Sequence, residues 1–176
     1  MIILIGPPGS LAPEVAAELS QRTGAEFADT QALIDQLMMD EDPNGYAEDR
    51  LRSIEHDVAV AALNSLDAGD GRILALGSGC LGNSRDDTGF ADVRAKIEEL
   101  RDAGALVIHL TGSLKVLSHR NGLDGPRLAA VSSPRRIFFT QLSSRTPLYE
   151  QIASATIDTT ELEPGDVAGQ VLGRVS

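Results

Sequence analysis

The sequence predicts an α/β domain in which a parallel sheet is flanked by helices, and three observations carry that expectation. The apolar runs at residues 1–5, 73–76 and 106–110 are continuous rather than alternating, as strands buried on both faces require. Stretches with helical periodicity separate them, the order that builds parallel strands joined by crossover helices. The first run also passes directly into Gly6-Pro7-Pro8-Gly9-Ser10, a turn of the kind that opens a phosphate-binding loop.

Taken in order, Met1-Ile2-Ile3-Leu4-Ile5 is the first strand. Val15, Ala16 and Leu19 then recur at helical spacing, with Pro13 or Glu14 tolerated in the first turn and Gly24 ending the helix. Glu26-Phe27-Ala28 is a weak second strand that reaches Asp29. Residues 32–39 read as helical. Residues 49–66 are a stronger helix, because Leu51, Ile54, Val58, Ala61 and Ala62 share one face while Arg52, Glu55 and His56 occupy the other. Between the two, Asp40-Glu41-Asp42-Pro43-Asn44-Gly45 reads as a solvated acidic loop, and no metal is inferred from it.

Residues 82–89 are polar and turn-rich. His109 lies inside the apolar run at 106–110 and is expected on or near a core strand. Asn121-Gly122-Leu123-Asp124-Gly125-Pro126 opens a segment, to about Pro134, that is expected to move and to close over a ligand. Ile157-Asp158 ends a last strand, and Pro164 opens a final helix through Leu172. No repeat or linker divides the chain, so residues 1–176 are expected to form one domain.

Composition narrows the function classes. A net charge of -11 and a pI near 4.6 disfavour nucleic acid and anionic membrane as partners, while leaving small anions open to a local basic pocket. There is no Trp, so the usual stacking platform for single-stranded nucleic acid is weak. No apolar run approaches a membrane span and the first residues lack a basic signal region, so a cytoplasmic location is expected. Cys80 is the only cysteine and is expected to act as a small packing residue.

The loop carries the sharpest chemical information. A working motif continues with Gly for close backbone approach, Lys for the β- and γ-phosphates and Ser or Thr for Mg²⁺. Positions 11 to 13 hold Leu11, Ala12 and Pro13 instead. One backbone donor, the cation and the metal-binding hydroxyl are absent together, which makes this a degenerate Walker A motif.

The order of motifs resembles the shikimate kinase family, small P-loop kinases of the nucleoside-monophosphate-kinase type, over nearly the whole chain. The matching pieces are Ile3-Leu4-Ile5-Gly6-Pro7-Pro8-Gly9-Ser10, Phe27-Ala28-Asp29-Thr30-Gln31-Ala32-Leu33-Ile34, Leu51-Arg52-Ser53-Ile54-Glu55, Leu74-Ala75-Leu76-Gly77-Ser78-Gly79 and Arg145-Thr146-Pro147-Leu148-Tyr149. The resemblance implies a five-stranded parallel sheet with helices on both faces, a substrate-binding region at about 29–66 and a lid at about 121–134. It also implies that the acid pocket falls on Gln31, Arg52, Gly77, Ser78, Gly79 and Arg145. The remnant of the nucleotide site falls on Gly6, Gly9, Ser10 and, in the lid, Arg127, with Arg135 and Arg136 as rivals for that last place.

Two guanidinium groups can hold a carboxylate through paired donors in fixed planes. An ion pair between Arg52 and Glu55, one helical turn away, is the simpler alternative for that arginine. Gln31 stands where the family has a carboxylate near the reacting hydroxyl, and an amide cannot serve as a base. Asp29 matches the family residue that supports Mg²⁺, but without its partners it does not imply a metal. The expectation is therefore a shikimate kinase-like protein of weak or no catalytic power, with no catalytic residue, metal or cofactor assigned. It would keep a small carboxylic acid such as shikimate, or a protein partner, as ligand. The competing expectation is a divergent active kinase that uses ATP and Mg²⁺ weakly.

Overall fold

The structure is a computed structural model that describes residues 1–41, 48–123 and 134–175. Its strands are β1 (Ile2–Ile5), β2 (Phe27–Asp29), β3 (Ile73–Ala75), β4 (Leu106–Thr111) and β5 (Ala155–Asp158). Its helices are α1 (Ala12–Thr23), α2 (Thr30–Glu41), α3 (Glu48–Asn64), α4 (Ala91–Asp102), α5 (Leu114–Arg120), α6 (Pro134–Ile152) and α7 (Pro164–Leu172). The five strands form one sheet in the order β2-β3-β1-β4-β5, and every pairing is parallel.

Alternation along β1 explains why the sheet is covered on both sides. Ile3 and Ile5 face one layer, with Leu74 and Val107, against buried residues of α3, α4 and α6. Ile2 and Leu4 face the other, with Ile73, Ile108 and Leu110, against α1 and α7. A strand with two buried faces has no polar positions to spare, hence the continuous apolar runs. Among the described residues no helix is long and apolar enough to cross a membrane.

Element ends follow local chemistry. Gly24 sits at φ 72° and its N–H closes α1 onto the Ser20 carbonyl. α2 starts two residues earlier than expected because the Asp29 carboxylate accepts the N–H groups of Gln31 and Ala32, at 3.0 and 3.3 Å. α7 opens on Pro164 with a reciprocal Glu163–Asp166 capping box. α6 runs through Pro147, and the Thr146 hydroxyl donates to the Leu142 carbonyl at 2.6 Å in the turn before it. Of the acidic stretch read as a loop at 40–45, Asp40 and Glu41 instead end α2 and the rest lies outside the described residues, as does most of the expected lid, residues 124–133.

His109 takes its expected place on β4 and is only 2% exposed. Its ring lies 5.2 Å from that of Tyr149, and neither ring nitrogen has a hydrogen-bond partner among the described residues. Burial therefore holds it neutral and lowers its pKa from 6.5 to about 4. A histidine depressed in this way contributes stability that is complete above its unfolded value and is lost as pH falls from about 6.5 toward 4. Acidification from pH 7 to 5 should remove about 2 kcal/mol through this residue. Urea unfolding of the protein and of His109→Leu at both pH values checks it, since the variant should lack that part of the acid loss.

Candidate anion sites at the strand ends

All five strands end on the same edge of the sheet, so the turns that follow them meet there. The turn after β1 is tight and leads straight into α1. Ser10 N–H closes it onto the Pro7 carbonyl at 3.1 Å, and Gly9 takes φ 83°. Gly6 has no room for a side chain, because a Cβ there would meet the Leu110 carbonyl. Leu11 sits at φ 71°, ψ 18°, the one non-glycine residue with positive φ among those described. A left-handed leucine carries about 1–2 kcal/mol of strain. The backbone thus retains a conformation that glycine would adopt freely.

The sequence reading missed what holds this loop. Arg120, at the end of α5, donates Nη1 to the Gly9 carbonyl at 3.0 Å and to the Thr159 hydroxyl at 2.9 Å. Asn121 donates to the Pro8 carbonyl at 2.9 Å. The contacts with Gly9 and Pro8 join residues more than a hundred positions apart, and no local periodicity reports them. A cavity of about 700 Å³ lies against the loop, with Asp29, Gln31, Gly77 and Arg120 among its lining residues.

Positions 11 to 13 bring neither an ammonium nor a hydroxyl group to this cavity. Ala12 is nearly buried and carries no charge, Pro13 has neither N–H nor hydroxyl, and Asp29 already caps α2. The Arg120 guanidinium is committed to Gly9 and Thr159, including the Thr159 carbonyl at 2.9 Å.

The turn after β3 is built differently. Gly77 N–H donates to the Thr30 hydroxyl at 2.8 Å, and Tyr149 donates its hydroxyl to the Ser78 carbonyl at 2.6 Å, which fixes the turn after β3. A Cβ on Gly77 would stand 2.8 Å from Gln31 Oε1, and one on Gly79 would overlap the Glu55 carboxylate. The Glu55 carboxylate, buried and held by Arg52, therefore favours glycine at 79, whereas at 77 the Gln31 amide can swing aside. Gln31 Nε2 donates to Asp35 at 2.9 Å. Cys80 is fully buried beneath the turn, and burial pushes its thiol up to about 12, so it packs and does not react.

Arg52 Nη1 donates to Glu55 and, at 3.1 Å, to the Gly79 carbonyl, while Nη2 donates to Asp87 at 2.9 Å. The Phe90 ring covers one face of this guanidinium, 4.1 Å from Cζ to the ring centroid. Arg145, 7% exposed, reaches the same region from α6 and chelates Asn83 Oδ1 through Nε and Nη2 at 3.2 and 2.8 Å. Burial holds the Glu55 carboxyl above its ordinary value, against the pull of Arg52 and then of Arg145. Both arginines thus act on one buried carboxylate beside Gly79. Neither lines the 700 Å³ cavity, which reaches Gly77 and Ser78. Arg127 lies outside the described residues, and Arg135 donates to the Leu123 carbonyl at 2.9 Å.

A model of the shikimate kinase family matches residues 13–176, almost the whole chain. The chain belongs to the shikimate kinase family. The matched span starts at Pro13 and leaves out the altered residues Leu11 and Ala12. A shikimate kinase of Thermobifida fusca (strain YX) is 29% identical over 171 residues, covering 96% of this chain and 90% of its own length. One of Salinispora tropica is 30% identical over 179 residues, covering 96% and 93%. Among solved structures, the shikimate kinase of Acinetobacter baumannii in complex with shikimate superposes with a TM-score of 0.74 at 22% identity, covering 99% of this chain and 91% of that one. A gluconokinase of Sinorhizobium meliloti 1021 superposes with a TM-score of 0.62 at 19% identity, covering 98% and 89%, a likeness of fold alone. The five-stranded parallel sheet expected from the sequence is that of these kinases.

Proposed function

We propose that this shikimate kinase-like protein has weak or no phosphoryl-transfer activity and binds shikimate or a closely similar acid at its acceptor side. The observation that carries the proposal is the altered loop: its backbone keeps a left-handed residue before α1, yet positions 11 to 13 supply no ammonium, no hydroxyl and no N–H at Pro13. Phosphoryl transfer depends on positioning and on neutralising charge, so losing those groups together removes its main contributors. Gln31 adds a further loss, because its amide cannot accept a proton from the acceptor hydroxyl.

The acceptor side supports retained binding. Arg52 and Arg145 converge on Glu55 beside Gly79, and both are partly or largely buried, where a carboxylate would feel them strongly. The bound form of the Acinetobacter baumannii relative, a complex with shikimate, suggests the ligand to try first.

Separate calorimetric titrations with ATP–Mg²⁺ and with shikimate test both halves of the proposal. No nucleotide heat below millimolar concentration, together with saturable shikimate binding, is the expected result. Turnover in a coupled assay that persists after contaminating kinase has been excluded would instead establish a divergent active enzyme.

A further inference from the structure

We infer that the segment formed by residues 82–90 is an internal occupant of the acid-binding position, with Asp87 deciding whether a free carboxylate enters. This rests on the reading of Arg52 and Arg145 as acid-binding residues. One short segment supplies acceptors to both guanidinium groups: Asn83 Oδ1 to Arg145, at 2.8 Å from Nη2, and Asp87 Oδ2 to Arg52, at 2.9 Å. The same segment places Phe90 over the Arg52 plane. Glu55 and the Gly79 carbonyl take Nη1, so Asp87 accepts the remaining hydrogen bond made by that guanidinium, at Nη2.

The segment is braced for this role. Asp87 Oδ2 also accepts the Asn83 N–H at 2.9 Å, and Asp87 N–H donates to the Ser84 carbonyl at 3.1 Å. Arg94 ties the segment down from α4, donating to the Leu81 and Asp87 carbonyls at 2.7 and 2.9 Å. Gly82 makes the turn at φ 100°, where a Cβ would crowd Arg94 Nη1 at 2.9 Å and Asp87 Oδ2 at 3.1 Å. Charge then sets the rule for entry. Glu55 and Asp87 already offset much of the charge of Arg52, Arg145 and the neighbouring Arg94, and Asp87 holds Nη2 of Arg52, so an incoming carboxylate reaches that donor only when Asp87 leaves. Asp87 is able to leave, because its side chain is 23% exposed and water can replace the bonds it gives up to Arg52 and the Asn83 N–H. The segment therefore competes with acids for Arg52, while a neutral polyhydroxylated ligand meets no such competition.

Calorimetric titration of the full chain with shikimate, and with its neutral methyl ester, tests this in the unsubstituted protein, Asp87→Ala and Asp87→Asn. Asp87→Ala should bind shikimate about tenfold more tightly than the unsubstituted protein, Asp87→Asn should fall between them, and the ester should be unaffected. Equal shikimate affinity in all three proteins, still abolished by Arg145→Ala, overturns the inference and leaves the acid-binding reading standing. Absence of shikimate binding in every one of them at millimolar concentration overturns both. If Asp87→Ala fails to fold, Asp87→Asn decides alone, because it keeps the side-chain shape and removes only the charge: affinity equal to that of the unsubstituted protein sinks the inference.

Discussion

Replacing Arg52 with alanine is expected to destabilise the protein by about 3 kcal/mol at neutral pH, because it strands a carboxylate in the interior. Glu55 is 6% exposed, and its direct charged partner is Arg52. Asp87 loses its own partner in the same step, but it is partly exposed and water replaces the loss cheaply. Arg145 still acts on Glu55 and moderates the penalty. The pH dependence gives a sharper test. A carboxyl whose folded pKa is raised contributes stability that is present below its unfolded value and lost as pH rises through the folded one. Removing Arg52 raises the folded value further, so the variant should deviate most from the parent at alkaline pH and least near the ordinary carboxylate range. Guanidinium unfolding at pH 5 and pH 8 reads this directly, and the double substitution Arg52→Met with Glu55→Leu should recover most of the loss. A uniform penalty at both pH values would show that lost packing on Phe90, and not the stranded charge, is what the arginine prevents.

How much of this was legible in the sequence depends on whether the information is local. β1, β3 and β4 announced themselves because burial on both faces forces a continuous apolar run, and α1 and α7 because Gly24 and Pro164 mark their ends. The chemical gap at Leu11, Ala12 and Pro13 was visible for the same reason, since a phosphate loop is a contiguous motif. The surroundings of Arg52 were not. Residues 82–89 read only as polar and turn-rich, yet they supply Asn83 and Asp87 to the two arginines through contacts that span 62 and 35 positions. Pairings of that kind leave no periodicity, and neither do those of Arg120 and Asn121 with the loop. The simpler expectation for Arg52, an ion pair with Glu55, is present in the structure, while Arg145 acts on that carboxylate by charge and donates to Asn83.

Restoring lysine alone, by Ala12→Lys, is expected to leave the protein without useful kinase activity. The new ammonium would enter a loop whose preceding residue is a left-handed leucine and whose following residue is proline, so close backbone approach and metal ligation would still be missing. Gly, Lys and Ser at positions 11 to 13 together should bring nucleotide affinity back by two to three orders of magnitude, about 3–4 kcal/mol, since they return a donor, a cation and a hydroxyl to one phosphate cluster. The fold should tolerate the change. Leu11→Gly relieves about 1–2 kcal/mol of left-handed strain, against the loss of a partly buried side chain packed on the layer that holds α1. Turnover should lag behind binding, because Gln31 remains a non-base, already hydrogen-bonded to Asp35. Adding Gln31→Asp supplies a carboxylate beside Gly77, and only this fourth change should give appreciable transfer to shikimate. ATP titrations and single-turnover assays across the series separate the steps: high activity from Ala12→Lys alone would mean that Leu11, Pro13 and Gln31 matter far less than their chemistry implies.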